Sequence, residues 1–250
     1  MGRTNDEISA ILFDFDGTIR HGRPRGIDIF HKLAFELGVT FTAEVKIEAE
    51  RWTHKYFAMS EELKDDVLEI GGFIHDDFWL KYTRRHLEFL GAPQDYLEEL
   101  ALILNEKMGL ANQPEDYVSE DVLPTLKALR ESGYQIGLVS NRSHSITSLL
   151  EKLGLGDVFH SILTAGEIGI WKPDPELFKH AIELISTDPK KTVFVGDNYY
   201  ADVLGSRAAG LIPILFDPAG IYPSPGCAVI RSIGDLQVLF RSTEPLRPGS

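Results

Sequence analysis

Four short segments of the chain carry side chains whose types and spacing could do chemistry. The first is Asp14-Phe15-Asp16-Gly17-Thr18, in which two carboxylates stand two residues apart after an apolar run. An aspartate can act as a nucleophile and split one difficult displacement into two easier ones. A second carboxylate can protonate a leaving alcohol and later take a proton from water. The structural alternative is a loop in which Asp and Thr cap a helix.

The other three segments could balance the charge that such a reaction develops. Ser140 and Asn141 offer a hydroxyl, an amide and backbone N–H groups for a phosphoryl oxygen. Lys172 carries a compact positive charge suited to a carboxylate or a phosphate. Asp197 and Asp202 add two carboxylates, and Mg²⁺ prefers such oxygen ligands. Each segment also has a structural alternative, which is helix capping for the polar residues and an exposed position for the lysine.

These segments lie where short apolar runs predict that strands end. Runs without alternation indicate strands that are buried on both faces, and helical patterns separate the later runs. We therefore predict an α/β fold with a doubly wound, Rossmann-like parallel sheet, in which ligands bind at the carboxyl ends of the strands. The runs are Ile8–Phe13, Gln135–Val139, His160–Leu163, Thr192–Val195 and Ile212–Phe216.

A different pattern occupies residues 21–114, where apolar residues recur at helical spacing and no convincing strand is present. We predict a small all-helical domain at 21–114, inserted into an α/β core formed by residues 1–20 and 115–250. One apolar stripe includes Trp79 and His86, which indicates a position in the helical core. Arg84 and Arg85 are interpreted as part of a solvated face.

The composition excludes several classes of protein. The formal charge is −13, with 38 acidic against 25 basic residues, so the basic face of a nucleic-acid binder is not expected. No apolar run reaches the roughly 18 residues of a membrane span. The single cysteine, Cys227, allows no internal disulfide, which fits a reducing compartment. We expect a cytoplasmic protein that is not associated with a membrane.

Taken together, the four segments resemble the four motifs of the haloacid dehalogenase superfamily, over residues from about 8 to 217. The helical insertion stands where that superfamily places one type of cap domain. The resemblance implies a Mg²⁺-dependent phosphomonoester hydrolase that acts on a small phosphorylated metabolite through an aspartyl-phosphate intermediate, as a monomer or a homodimer. The matching residues are Asp14–Thr18, Ser140, Lys172, and Asp197 with Asp202.

The resemblance also implies a role for each matching residue. Asp14 is the expected nucleophile and Asp16 the expected acid and base. The expected metal ligands are Asp14, Asp197, the backbone carbonyl of Asp16 and, indirectly, Asp202. The full set of expected catalytic residues is Asp14, Asp16, Thr18, Ser140 and Lys172, and the residues expected to bind the substrate phosphate are Gly17, Ser140, Asn141 and Lys172.

Three other functions remain open at this point. A phosphomutase that resembles β-phosphoglucomutase would use the same nucleophile and pass the phosphoryl group to a sugar. A dehalogenase is disfavoured by Asp16, because a leaving halide needs no proton. A catalytically silent binding module is disfavoured because it has no chemical need for Asp14, Asp16, Lys172 and Asp197 together.

A basic run after the first motif departs from many members of the superfamily. It contains Arg20, His21, Arg23 and Arg25, only a few residues from the expected nucleophile. We hypothesise that one of them contacts an anionic part of the substrate. The alternative is a basic hinge in contact with solvent.

Overall fold

The computed structural model describes residues 8–71 and 76–241, and the chain divides into two compact units. The first unit, termed the core unit, consists of Met1–His21 and Tyr117–Ser250, and the second, termed the helical unit, is Gly22–Asp116. Residues 1–7 and 242–250, which the sequence assigned to the α/β core, lie outside the described residues.

The described strands and helices are named here in chain order. The strands are β1 (Ala10–Phe13), β2 (His21–Arg23), β3 (Glu115–Tyr117), β4 (Gln135–Ser140), β5 (Ser161–Thr164), β6 (Thr192–Gly196), β7 (Ile212–Phe216) and β8 (Ala228–Ile230). The helices are α1 (Gly26–Glu36), α2 (Ala43–Phe57), α3 (Glu61–Ile70), α4 (Asp76–Phe89), α5 (Leu97–Ala111), α6 (Val122–Glu131), α7 (Thr147–Lys152), α8 (Ala165–Ile168), α9 (Pro175–Leu184), α10 (Gly205–Ala208) and α11 (Asp235–Arg241), with a π-helical turn at Tyr199–Leu204.

The core unit contains a six-stranded sheet in the order β5-β4-β1-β6-β7-β8, and all of its strand pairs are parallel. β1 lies between β4 and β6, with Phe13 opposite Leu138 on one side and Val195 on the other. The predicted α/β fold with a parallel sheet is confirmed. Its central strand is the one that precedes the first motif.

Both faces of this sheet are buried, as the continuous apolar runs predicted. Successive strand residues point to opposite faces. Ile11 and Phe13 accordingly pack with residues of α6, α7 and α11, whereas Ala10 and Leu12 pack with residues of α9. This two-sided burial explains why the strands lack a polar alternation.

The helical unit contains α1 to α5, and two apolar clusters hold it together. One contains Phe30, Leu87 and Leu104, and the other contains Tyr56 and Phe78. Trp79 is 54% exposed, which differs from the core position that its stripe indicated. Among the described residues, no helix is both long and apolar enough to cross a membrane.

The buried carboxylate of Asp66 in α3 forms an ion pair with Arg85 in α4. The Nε and Nη2 atoms of Arg85 donate to its two oxygens at 2.6 and 2.7 Å, and the Tyr56 hydroxyl donates at 2.9 Å. A buried charge is tolerated when it is paired and hydrogen-bonded in this way. Arg85 is therefore part of an internal ion pair, and its assignment to a solvated face was wrong.

A second sheet with two strands, β2 and β3, lies where the chain enters and leaves the helical unit. The residue pattern of 21–114 predicts no strand, yet β2 begins at His21. Strands of three residues are too short for a period of two to be recognised.

Candidate active site

The predicted site residues of the core unit follow three neighbouring strands. Asp14 comes directly after β1, Ser140 is the last residue of β4, and Asp197 comes directly after β6. Because β4, β1 and β6 are adjacent and parallel, their carboxyl ends bring these side chains to one edge of the sheet. Lys172 lies in the segment between α8 and α9.

Lys172 joins two carboxylates in the interior of the core unit. Its Nζ atom donates to Oδ1 of Asp14 and, at 2.8 Å, to Oδ1 of Asp202. The three residues are 2%, 5% and 1% exposed. Burial alone would lower the pKa of Lys172, but the charges of Asp14 and Asp202 outweigh burial and raise this pKa. The lysine therefore stays charged beside the expected nucleophile.

Three carboxylates at this position could hold a metal ion. Asp14, Asp197 and Asp202 each offer an oxygen within 4.8 Å of the others. With Lys172 as their ammonium partner, the fully ionised cluster carries two net negative charges, which a divalent cation would balance. Oδ2 of Asp14 is buried and has no hydrogen-bond partner among the described residues, which is the position expected of a metal ligand.

The electrostatics of the cluster agree with a cation at this position. Burial, only partly offset by Lys172, raises the pKa of Asp14 from 3.8 to about 7. Burial and the charges of Asp14 and Asp202 also raise the pKa of Asp197. Both carboxylates are costly to ionise in this environment, and a bound divalent cation would favour their charged forms.

The turn after β1 fits closely around Asp197. Gly17 has a φ of +97°, and a Cβ atom at this position would collide with the carboxylate of Asp197. The hydroxyl of Thr18, a fully buried residue, donates to Oδ1 of Asp197 at 3.3 Å. Gly17 and Thr18 of the first motif therefore help to position Asp197, an expected metal ligand.

Asn141 holds the backbone of Lys172 with its side-chain amide. Its Nδ2 donates to the Lys172 carbonyl at 3.0 Å, and its Oδ1 accepts from the Lys172 N–H at 2.7 Å. The hydroxyl oxygen of Ser140, which is 1% exposed, accepts from the Arg142 N–H at 3.3 Å. Asn141 of the second motif therefore holds the backbone of Lys172, the residue of the third motif, in position.

Asp16 is paired with two arginines of the core unit. Arg142 donates from Nε to Oδ2 at 2.7 Å and from Nη2 to Oδ1 at 2.8 Å, and Nη1 of Arg20 donates to Oδ1 at 3.2 Å. Arg142 is not among the residues that the motifs predict. The available signal was its position directly after Ser140 and Asn141, at the end of a strand that carries a motif.

The basic run after the first motif divides between the two units. Arg20 contacts Asp16 in the core unit, as described above. Arg25 belongs to the helical unit, where it donates to Asp28 at 2.8 Å and to Glu50 at 2.7 Å. Arg25 is therefore engaged with acidic residues of its own unit, whereas Arg20 contacts a predicted catalytic residue.

The family model of haloacid dehalogenase-like hydrolases matches residues 8–210, which include all four motifs. The chain belongs to this family. This haloacid dehalogenase-like hydrolase is 32% identical to the ribulose-1,5-bisphosphate 5-phosphatase of Halopiger xanaduensis, over 84% of the chain and 85% of that protein. It is 36% identical to the glyceraldehyde 3-phosphate phosphatase of Methanopyrus kandleri, over 83% of each.

The solved structures give the same result. The chain is similar to the haloacid dehalogenase-type phosphatase of Thermococcus onnurineus, with a TM-score of 0.55 and 25% identity, over 95% of the chain and 99% of that protein. The family and the α/β fold are as the motifs predicted. With phosphatases among its relatives, this member of the family is an enzyme of the phosphatase type.

Proposed function

We propose that this enzyme is a Mg²⁺-dependent phosphomonoester hydrolase that acts on a small phosphorylated metabolite through a phosphoaspartate on Asp14. The cluster of Asp14, Lys172, Asp197 and Asp202 carries the proposal, since it combines a nucleophile with an ammonium and a set of metal ligands. The relatives named above, with a sugar bisphosphate and a triose phosphate in their names, support this class of substrate.

In the first step an oxygen of Asp14 attacks phosphorus, and the bond between phosphorus and the ester oxygen breaks. The leaving alcohol takes a proton from Asp16. In the second step water attacks the phosphoaspartate, gives its proton to Asp16 and releases Asp14 and inorganic phosphate. Lys172 lowers the repulsion between the attacking carboxylate and the phosphoryl oxygens throughout.

The donor set fits Mg²⁺, which is held by carboxylate oxygens and usually keeps waters and a substrate phosphate as further ligands. Asp14, through the Oδ2 atom that has no hydrogen-bond partner in the described part of the chain, and Asp197 would bind the ion directly. Both oxygens of Asp202 are engaged, one with Lys172 and one with the Asn198 N–H at 2.9 Å, which favours the indirect role. When bound, Mg²⁺ supplies positive charge to the phosphoryl oxygens in the transition state.

The remaining roles follow from the contacts of the chain. Thr18 would orient Asp197, and Asn141 would hold Lys172, while Ser140 and the backbone around Gly17 would contact the phosphoryl group. We further propose a cytoplasmic monomer or homodimer. The buried Cys227, which is the single cysteine of the chain, supports the reducing compartment.

The test is phosphate release from a panel of phosphorylated metabolites with Mg²⁺. Asp14→Asn is expected to abolish release, because it removes the nucleophile while keeping the size of the side chain. Asp188→Asn is the matched control. Asp188 is exposed and lies before the amino end of β6, whereas Asp197 follows its carboxyl end, so the control should keep full activity.

Three outcomes would contradict the proposal. Activity that survives loss of Asp14 would exclude the phosphoaspartate, and activity that survives chelation by EDTA would exclude the metal. Transfer of phosphate within a sugar, without release, would identify a phosphomutase instead. A second variant, Asp197→Asn, should weaken the stabilisation of the protein by Mg²⁺ in thermal unfolding, which tests the metal site without an activity measurement.

A further inference from the structure

The contact between Arg142 and Asp16 blocks the residue to which we assign proton transfer. Arg142 binds both oxygens of Asp16, and Arg20 adds a third contact to Oδ1. An acid that must deliver a proton to an ester oxygen needs one of its own oxygens directed at the substrate. The pairing must therefore open at Asp16 during each catalytic cycle.

The structure holds the backbone of Arg142 firmly in place. Its carbonyl accepts from the Gly166 N–H at 3.0 Å, and its own N–H donates to Ser140 Oγ. Gly166 leaves no room for a Cβ atom against the Ser143 backbone, so the close approach of this loop depends on glycine. The guanidinium lies over the ring of Phe15, 5.3 Å from its centroid. These contacts keep the arginine beside the nucleophile loop.

The side chains themselves remain accessible. Those of Arg142 and Asp16 are 36% and 38% exposed, and that of Arg20 is 18% exposed. Breaking a partly exposed pair costs little when each partner gains a replacement. The planar fork of arginine matches anions that offer two oxygens, which are carboxylates and phosphates.

We propose that Arg142, with Arg20 beside it, binds a second anionic group of the substrate and thereby releases Asp16 for proton transfer. The substrate class is a phosphomonoester that carries a carboxylate or another phosphate close to the ester. This inference rests on the proposed function and adds to it a selection for doubly anionic substrates. The Arg142 guanidinium exchanges one two-oxygen partner, Asp16, for another.

The experiment compares three substrates in the presence of Mg²⁺. 4-Nitrophenyl phosphate has no second anion, 3-phosphoglycerate has a carboxylate, and fructose 1,6-bisphosphate has a second phosphate. Arg142→Gln should raise the KM for one or both of the doubly anionic substrates about tenfold or more, the scale of lost charge-assisted hydrogen bonds. The KM for 4-nitrophenyl phosphate should stay within about twofold of the unmodified enzyme, because that substrate makes no such contact.

Two further variants serve as a conservative replacement and as a control. Arg142→Lys retains the charge without the fork, so its KM for the doubly anionic substrates should lie between that of the unmodified enzyme and that of Arg142→Gln. If Arg142→Gln folds poorly, the rise in KM from the unmodified enzyme to Arg142→Lys still tests the site. Arg130→Gln is the matched control. Arg130 is exposed and lies at the end of α6, before the amino end of β4, whereas Arg142 follows the carboxyl end of β4. It should change no KM.

The outcomes separate this inference from the proposed function. A rise in KM for the carboxylate substrate alone, for the bisphosphate alone or for both supports the site and identifies its anion. An equal rise for all three substrates, or no rise, overturns the inference while leaving the hydrolase intact. Failure of the unmodified enzyme to release phosphate from any substrate, or release by Asp14→Asn, overturns the proposed function and the inference with it.

Discussion

Two buried histidines of the helical unit should make its stability depend on pH between 7 and 5. Nε2 of His31 in α1 lies 3.1 Å from Nε2 of His86 in α4. Burial, with the neighbouring His31 acting in the same direction, lowers the pKa of His86 to about 3. Burial also lowers the pKa of His31 to about 4, with Lys46 acting in the same direction.

The sign follows from the direction of both shifts. The unfolded chain takes up protons near the ordinary histidine pKa of about 6.5, whereas the folded unit stays neutral to a much lower pH. The free energy of unfolding is therefore highest above this value and falls as the pH drops towards 4. Linkage gives a loss of about 2 kcal/mol for each histidine between pH 7 and pH 5, or roughly 4 kcal/mol for the pair.

The assay is urea unfolding at several pH values, followed by tryptophan fluorescence. Trp52 reports on the helical unit, since its ring lies 5.5 Å from that of His86. His86→Gln should lower the free energy of unfolding at pH 7 but also reduce its loss between pH 7 and pH 5 by about 2 kcal/mol. His180→Gln, at an exposed position of α9 in the core unit, is the control substitution outside the helical unit.

Comparison with the variants is necessary because other groups titrate in the same range. The raised pKa of Asp14 has the opposite effect, since it favours the folded state at low pH, but it is common to all three proteins. The reasoning would be refuted if His86→Gln lost as much stability as the unmodified enzyme. A pKa near 6.5 for His86, measured from its imidazole signals by NMR, would refute it directly.

Three substitutions test other contacts of the structure. Gly17→Ala should lower kcat and the affinity for Mg²⁺ by about tenfold or more, measured as phosphate release against Mg²⁺ concentration, because its Cβ displaces the Asp197 carboxylate. Asn141→Ala should lower kcat about tenfold with little change in KM, since Lys172 loses two backbone hydrogen bonds; steady-state kinetics distinguish the two effects. Asp66→Ala should cost about 3 kcal/mol in urea unfolding of the helical unit, because it leaves a partly buried arginine without its partner.

The sequence predicted the sheet well because the two-sided burial of its strands leaves a local signal. The runs at Gln135–Val139, Thr192–Val195 and Ile212–Phe216 differ from the observed strands by at most one residue at either end. The end of a run therefore also predicts where its strand ends, and Asp14 and Asp197 come directly after the ends of β1 and β6. Asp14 and Asp197 could be located in this way from the sequence alone.

Contacts between distant residues left no such signal. Arg142 and Asp16 are 126 residues apart in sequence, and Arg85 in α4 contacts Asp66 in α3. A helical period places an arginine on a face, but whether that face meets solvent or a buried carboxylate depends on the neighbouring helix. Arg85 was therefore assigned to solvent, although its charge is what makes the burial of Asp66 tolerable.

The same reasoning explains why the basic run could not be interpreted from its composition. Arg20 and Arg25 are equivalent in type and lie close together in sequence, but each binds the carboxylate that its own unit offers. Arg25 meets Asp28 and Glu50, so its charge is already balanced within the helical unit. Arg20 instead shares Asp16 with Arg142. The guanidinium of Arg142 also stands beside Asp16 in the core unit, so a second anion of the substrate is better placed here than at Arg25.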